Sequence, residues 1–215
     1  MMNFGGDNLK YDVLDRRRIQ LLERLKEFKK DFYLAGGTAL ALQMGHRISV
    51  DFDFFSSIGF DNGVLLNKIR RLFLNEDFSV LQNEKNTLTV MVGNEVKLSF
   101  FSLEYQNLFP LMDSEFFRLA SVHEIGIMKL IALARASYKD YVDIYFILKQ
   151  IPLSQLLASA EKKHPEFDKA IYIRALLSYD DVDDFPINYL PNLQVDREAV
   201  FNSIETEVLK VIRSS

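Results

Sequence analysis

The stretch that decides the fold is residues 33–55, YLAGGTALALQMGHRISVDFDFF. A short apolar strand, YLA, runs into Gly36-Gly37. TALALQM then reads as a buried helix stopped at Gly45, and SVDFDFF alternates as a strand does. Two carboxylates, Asp51 and Asp53, interrupt that last apolar run. On a strand, residues two apart share a face, so the aspartates point together while Phe52 and Phe54 point into the core. Their Cβ atoms are expected roughly 6.5–7 Å apart. Carboxylates at that reach can share two magnesium ions, an arrangement suited to phosphoryl transfer. Magnesium prefers carboxylate and phosphate oxygens and keeps water, which fits a solvent-facing strand end. Upstream, Gly36 and Gly37 let a ligand approach the backbone, the helix N-terminus offers free N–H groups to a phosphate, and Thr38 adds a hydroxyl.

Working outward, residues 12–30 place Val13, Ile19, Leu22, Leu25 and Phe28 near helical spacing, and 61–75 give another helix. Three strands are expected over 78–82, 86–92 and 95–102, with VGNE as a hairpin turn between the last two. From about residue 113 the pattern is helical only. SVHE at 121–124 reads as a capping box. Helices follow over 139–149, 153–163, 167–178 and 196–213. Pro186 and Pro191 bracket an irregular link after the acidic run DDVDD at 180–184, read as a solvated loop. The expected architecture is α+β. A mixed β-sheet of four or five strands with flanking helices occupies residues 1–112, and a C-terminal helical bundle over 113–215 shares the active-site cleft.

Composition bounds the function. Of 215 residues, 48% are hydrophobic and 26% charged, with a formal net charge of −4. A polycation is excluded, so nucleic-acid contact requires a local basic patch. DRRR at 15–18 is one, though it reads as a solvated helix surface. The absence of cysteine excludes disulfides, thiolate metal sites and cysteine nucleophiles, and suits a reducing cytoplasm. The start lacks a signal-peptide pattern, and no apolar run approaches the roughly 18 residues of a membrane span. A cytoplasmic protein with no membrane contact is expected. Among the histidines, His46 reads as a surface turn, His123 as structural and His164 as a helix terminus. None has zinc-ligand spacing to another.

Lys129 lies between Met128 and Leu130 in a nearly apolar helix. A charge there either snorkels to solvent or meets a partner. Arg135, Asp140 and Asp143 equally suit an ion-pair network between two helices.

Residues 34–56, LAGGTALALQMGHRISVDFDFFS, resemble the AbiEii/AbiGii nucleotidyltransferase toxins of the DNA polymerase β-like nucleotidyltransferase superfamily. The match lies in the Gly-Gly turn and helix, the acidic pair, GHR, Ser49 and the aromatic after the second aspartate. A second block, EIGIMKLIALARASYKDYVDIYFIL at 124–148, looks like the family's helical motif and carries Lys129, Arg135, Lys139, Asp140 and Asp143. The resemblance implies that Asp51 and Asp53 hold magnesium and the triphosphate, and that Gly36, Gly37 and Thr38 contact the β/γ phosphates. It further implies that Lys129 neutralises phosphate, with Asp143 and Arg135 shaping the site and Arg47 and Lys97 favouring a bound triphosphate. The implied reaction is transfer of a nucleoside monophosphate from an NTP to an acceptor hydroxyl. The implied acceptor is RNA, in particular tRNA, and the implied partner is a cognate antitoxin.

The chain departs from the superfamily pattern at one position. A third carboxylate is expected on the strand NEVKLSFFS at 94–102, and alignment puts Ser99 there, with Glu95, Lys97 and Ser99 facing outward. Serine cannot ligate metal as a carboxylate does, which leaves Glu95 and Asp143 as substitutes for the base. Two other readings stay open: a small-molecule nucleotidyltransferase of the aminoglycoside type, and a nucleotide-binding regulatory module without turnover.

Overall fold

The computed structural model describes residues 8–103, 105–180 and 182–214. These form two compact units. The first runs to Gln106 and resumes at Pro110–Ala120, while the second joins Asn107–Phe109 to the chain from Ser121 onward.

The first unit begins with a 3-10 turn at Tyr11–Val13 and helix α1 (Arg16–Leu25). The continuous helix expected over 12–30 is broken at Asp15, whose carboxylate caps α1 by accepting the Arg18 N–H at 2.9 Å. Strand β1 (Tyr33–Ala35), helix α2 (Gly36–Met44), strand β2 (Phe52–Ser56) and helix α3 (Asn62–Leu72) follow. Then come β3 (Phe78–Glu84), β4 (Thr87–Val92), β5 (Val96–Ser102), β6 (Met112–Asp113) and β7 (Arg118–Leu119). They make one seven-stranded sheet in the order β3-β4-β5-β2-β1-β7-β6. Strand β2 sits inside it, antiparallel to β1 and parallel to β5. The hairpin between β4 and β5 turns as expected, with Gly93 and Asn94 both at positive φ. Residues 112–119 are not helical, as the sequence suggested, but add the two-residue strands β6 and β7. Pieces that short carry no readable period.

The sheet owes its stability to one aromatic face. Phe28 lies 4.9 Å from Phe100 and 5.6 Å from Phe54, ring centre to ring centre, and Phe54 stacks on Phe100 at 5.1 Å. Phe52, Leu88, Val90, Val92, Leu98 and Phe100 are fully buried. Alternation then leaves Asp53, Phe55 and Lys97 on the other, partly exposed face.

The second unit contains α4 (Val122–Ala132), α5 (Tyr138–Leu148), α6 (Leu153–Lys163), α7 (Lys169–Leu176) and α8 (Arg197–Ser214). Helix α4 packs on α5 and α6, and α5 packs on α8. Ser121 caps α4 by accepting the Glu124 N–H at 3.1 Å. The other half of the expected capping box is not made. The Glu124 carboxylate is fully buried, accepts the N–H groups of Leu108 and Phe109 at 2.9 and 3.3 Å, and pairs with Lys163. The acidic run also departs from a plain solvated loop. Asp183 accepts the Tyr138 N–H at 2.9 Å, at the start of α5, while Asp184 stays exposed against Arg197. Asp181 of that run lies outside the described residues. Among the described residues, no helix is long and apolar enough to cross a membrane.

Candidate active site

The helix α2 starts on Gly36 with Ala35 as its cap residue, which makes no side-chain capping bond. A helix start concentrates N–H groups and the partial positive charge of the helix end. Gly36 has φ +66°, and a Cβ on it would lie 2.8 Å from Asp53 Oδ2. The pairing of β1 with β2 sets Ala35 opposite Asp53, which lays that carboxylate against the helix entry. A Cβ on Gly37 would lie 2.5 Å from Arg47 Nη2, so the guanidinium covers the next residue of the same turn. Arg47 is buried and donates to the Ile48 carbonyl at 3.1 Å.

Thr38 is buried, and its hydroxyl lies 2.8 Å from Ser49 Oγ and bonds the Asp51 carbonyl. Its side chain therefore fixes the backbone that carries Asp51. Asp51 stands one residue before β2, with Oδ2 2.8 Å from Lys97 Nζ. Asp51, Asp53, Gly36, Gly37, Arg47 and Lys97 thus gather at one end of β2.

Ser99 lies opposite Asp53 in the β2–β5 register and opposite Thr89 in β4. The position is the one expected, but Ser99 does not face solvent, being only 3% exposed. Glu95 is exposed, 4.0 Å from Arg17 Nε. His46 is buried rather than on a surface turn. His123 is structural, 3.0 Å from Ser159 Oγ and stacked on Phe109 at 4.0 Å.

Sequence reasoning missed Arg18. This buried guanidinium donates to the carbonyls of Val50 at 2.5 Å and Glu95 at 2.6 Å, and pairs with Asp15. It ties the approach to Asp51 to the start of β5. A signal was present, since residue 18 falls on the stripe of Leu21, Leu22 and Leu25 at helical spacing, so an arginine there is buried with α1's apolar face.

In the helical unit Lys129 Nζ sits 2.6 Å from Asp140 Oδ1 and 2.6 Å from Asp143 Oδ2. The lysine and both aspartates are buried, so it does not snorkel. Arg135, with a 69% exposed side chain, reaches Asp140 at 3.3 Å.

Among the described residues no group of three or more His, Asp or Glu side chains is disposed to hold a metal. Asp51 and Asp53 supply two carboxylates. They could hold one divalent ion such as magnesium with oxygens from elsewhere, and fall short of a protein-built two-metal cage.

The profile of the AbiEii family, described as nucleotidyl transferase AbiEii toxin of a type IV toxin–antitoxin system, matches residues 20–207. An uncharacterized protein of Aquifex aeolicus is 35% identical over 159 residues, covering 70% of this chain and 75% of its own. The crystal structure of JHP933 from Helicobacter pylori is 19% identical and covers 94% of both chains with a TM-score of 0.59. Antibiotic-resistance factor ANT(2″)-Ia is 11% identical, covering 69% of this chain and 91% of its own with a TM-score of 0.51. Identities so low bear on the fold alone, and the fold is that of the nucleotidyltransferases. The family brings with it a nucleotide substrate and an antitoxin partner. Its profile spans both the glycine turn with its acidic pair and the Lys129 cluster, and the chain belongs to the AbiEii family of nucleotidyltransferase toxins.

Proposed function

We propose that the protein transfers a nucleoside monophosphate from an NTP to an acceptor hydroxyl with the help of magnesium, and that the acceptor is RNA, in particular tRNA. The observation that carries this reading is the placement of the Asp53 carboxylate against Gly36 at the entry of α2, close along the chain to Asp51. Asp51 and Asp53 hold one magnesium ion there. The N–H groups of Gly36, Gly37 and Thr38, together with Arg47, receive phosphate oxygens. Lys97 meets the triphosphate from β5. Magnesium, when bound, offsets negative charge on the triphosphate during transfer.

The acceptor oxygen bonds to the α-phosphorus as the bond to pyrophosphate breaks. Phosphoryl transfer rests mainly on positioning and charge stabilisation. With a hydroxyl at Ser99 in place of a carboxylate, the acceptor proton passes to solvent. In the helical unit, Lys129, Asp140 and Asp143 form a buried cluster that ties α4 to α5.

Ser99 also favours a second reading, a nucleotide-binding module without turnover. One experiment separates them. The protein is incubated with α-labelled ATP, CTP, GTP and UTP, magnesium and total tRNA, beside folded Asp51→Asn and Asp53→Asn variants. Label on RNA that both variants lose is the expected result. Magnesium-dependent nucleotide binding without label supports the silent module or another acceptor, such as an aminoglycoside. Neither label nor binding overturns the nucleotide reading.

A further inference from the structure

The Lys97–Asp51 pair has a consequence for how metal enters the site. Lys97 lies in β5 between the buried Val96 and Leu98, so its stem rises from the open face of the sheet. Phe52 pairs with Leu98, which puts residues 51 and 97 one step back along the same two strands. Nζ is 2.8 Å from Asp51 Oδ2, and the two side chains are 37% and 39% exposed. A carboxylate that accepts an ammonium at this distance has its charge engaged, and magnesium, which binds carboxylate oxygen directly at about 2.0–2.1 Å, draws on the same charge. An ammonium and a divalent cation repel one another at such range. The lysine stem is flexible and its pair is partly exposed, so release is easy.

We infer that Lys97 is a tethered cation that competes with metal for Asp51 and moves onto the triphosphate when a metal–nucleotide complex arrives. The inference rests on the reading of Asp51 and Asp53 as metal ligands. It makes Lys97 a competitor of bare metal and an ally of metal-loaded nucleotide. The site is thereby kept from filling with a cation alone.

The test measures Mn2+ binding to the full chain by electron paramagnetic resonance, without nucleotide. Wild type, Lys97→Met, Lys97→Arg and Asp51→Asn are compared, with folding checked by circular dichroism. Lys97→Met is expected to bind Mn2+ about two- to fivefold more tightly than wild type, the range set by a partly exposed ion pair. Lys97→Arg retains the charge and stays near wild type, and Asp51→Asn loses binding. With Mn2+ present, the affinity of Lys97→Met for a non-hydrolysable ATP analogue falls. Should Lys97→Met fail to fold, Lys97→Gln carries the same comparison. Asp51-dependent binding that Lys97→Met leaves unchanged or weakens overturns the inference and keeps the metal site. Binding that does not depend on Asp51 overturns the metal site and the inference with it.

Discussion

Asp53 fills the space in which a side chain on Gly36 would begin, its Oδ2 lying 2.8 Å from where a Cβ would stand. Gly36→Ala therefore meets two penalties. The left-handed φ of +66° costs roughly 1–2 kcal/mol for a residue with a Cβ, and Asp53 must shift. Urea unfolding is expected to show that loss together with a fall in turnover. Gly37→Ala displaces only the end of the Arg47 side chain and is expected to cost less stability.

Arg18 donates to two partly buried backbone carbonyls. Arg18→Met removes both bonds, at about 0.5–1.5 kcal/mol each. Lysine lacks the fork that reaches both, so Arg18→Lys is not expected to restore stability. Chemical denaturation of the two variants checks this, and a fall in Asp51-dependent metal affinity alongside would mark Arg18 as a positioning residue.

The Lys129 cluster is expected to be structural first. Removing the lysine leaves Asp140 and Asp143 buried beside one another, and breaking a buried ion pair costs about 3–5 kcal/mol. Lys129→Met should show that loss in urea unfolding. A variant that keeps wild-type stability and loses only turnover would instead assign Lys129 directly to phosphate.

Ser99→Ala removes a hydroxyl beside Asp53 without adding a charge. Turnover is expected to stay within about tenfold of wild type, since a serine hydroxyl is no proton acceptor at neutral pH. A loss of a hundredfold or more in single-turnover assays would give Ser99 a direct part in the chemistry.

Acid should destabilise the protein in two stages. Burial pushes the His123 and His164 imidazoles below their ordinary 6.5, so the unfolded chain takes up protons first. Their contribution is complete above about pH 6.5 and is lost as pH falls toward the lowered folded values. The hydrogen bond from Arg17 holds the Glu76 carboxyl below its ordinary 4.5, and that contribution goes in a second stage below about pH 4.5. Thermal melts from pH 8 to 3 check both, and His123→Asn with His164→Asn should remove the first.

What the sequence made legible follows from period. Alternation in SVDFDFF placed Asp53 opposite the core, and Phe52 and Phe54 lie where it predicts. The helix of α2 and the Gly93-Asn94 turn were equally plain. Two-residue strands such as β6 and β7 have no period to read. Thr38 shows another limit, because a hydroxyl after two glycines suits a phosphate as well as it suits the Asp51 carbonyl that it bonds. Arg18 hid among three arginines whose types are identical and whose angles around the helix are not.

Glu124 sets where this protein can be divided. Its fully buried carboxylate draws Asn107–Phe109 into the helical unit through the N–H groups of Leu108 and Phe109. A fragment cut between residues 112 and 113 would discard those donors and leave Glu124 with Lys163 alone inside an apolar interior. The helices are therefore expressed in isolation most safely from residue 107, with the segment Pro110–Ala120 kept as an excursion rather than used as a starting point.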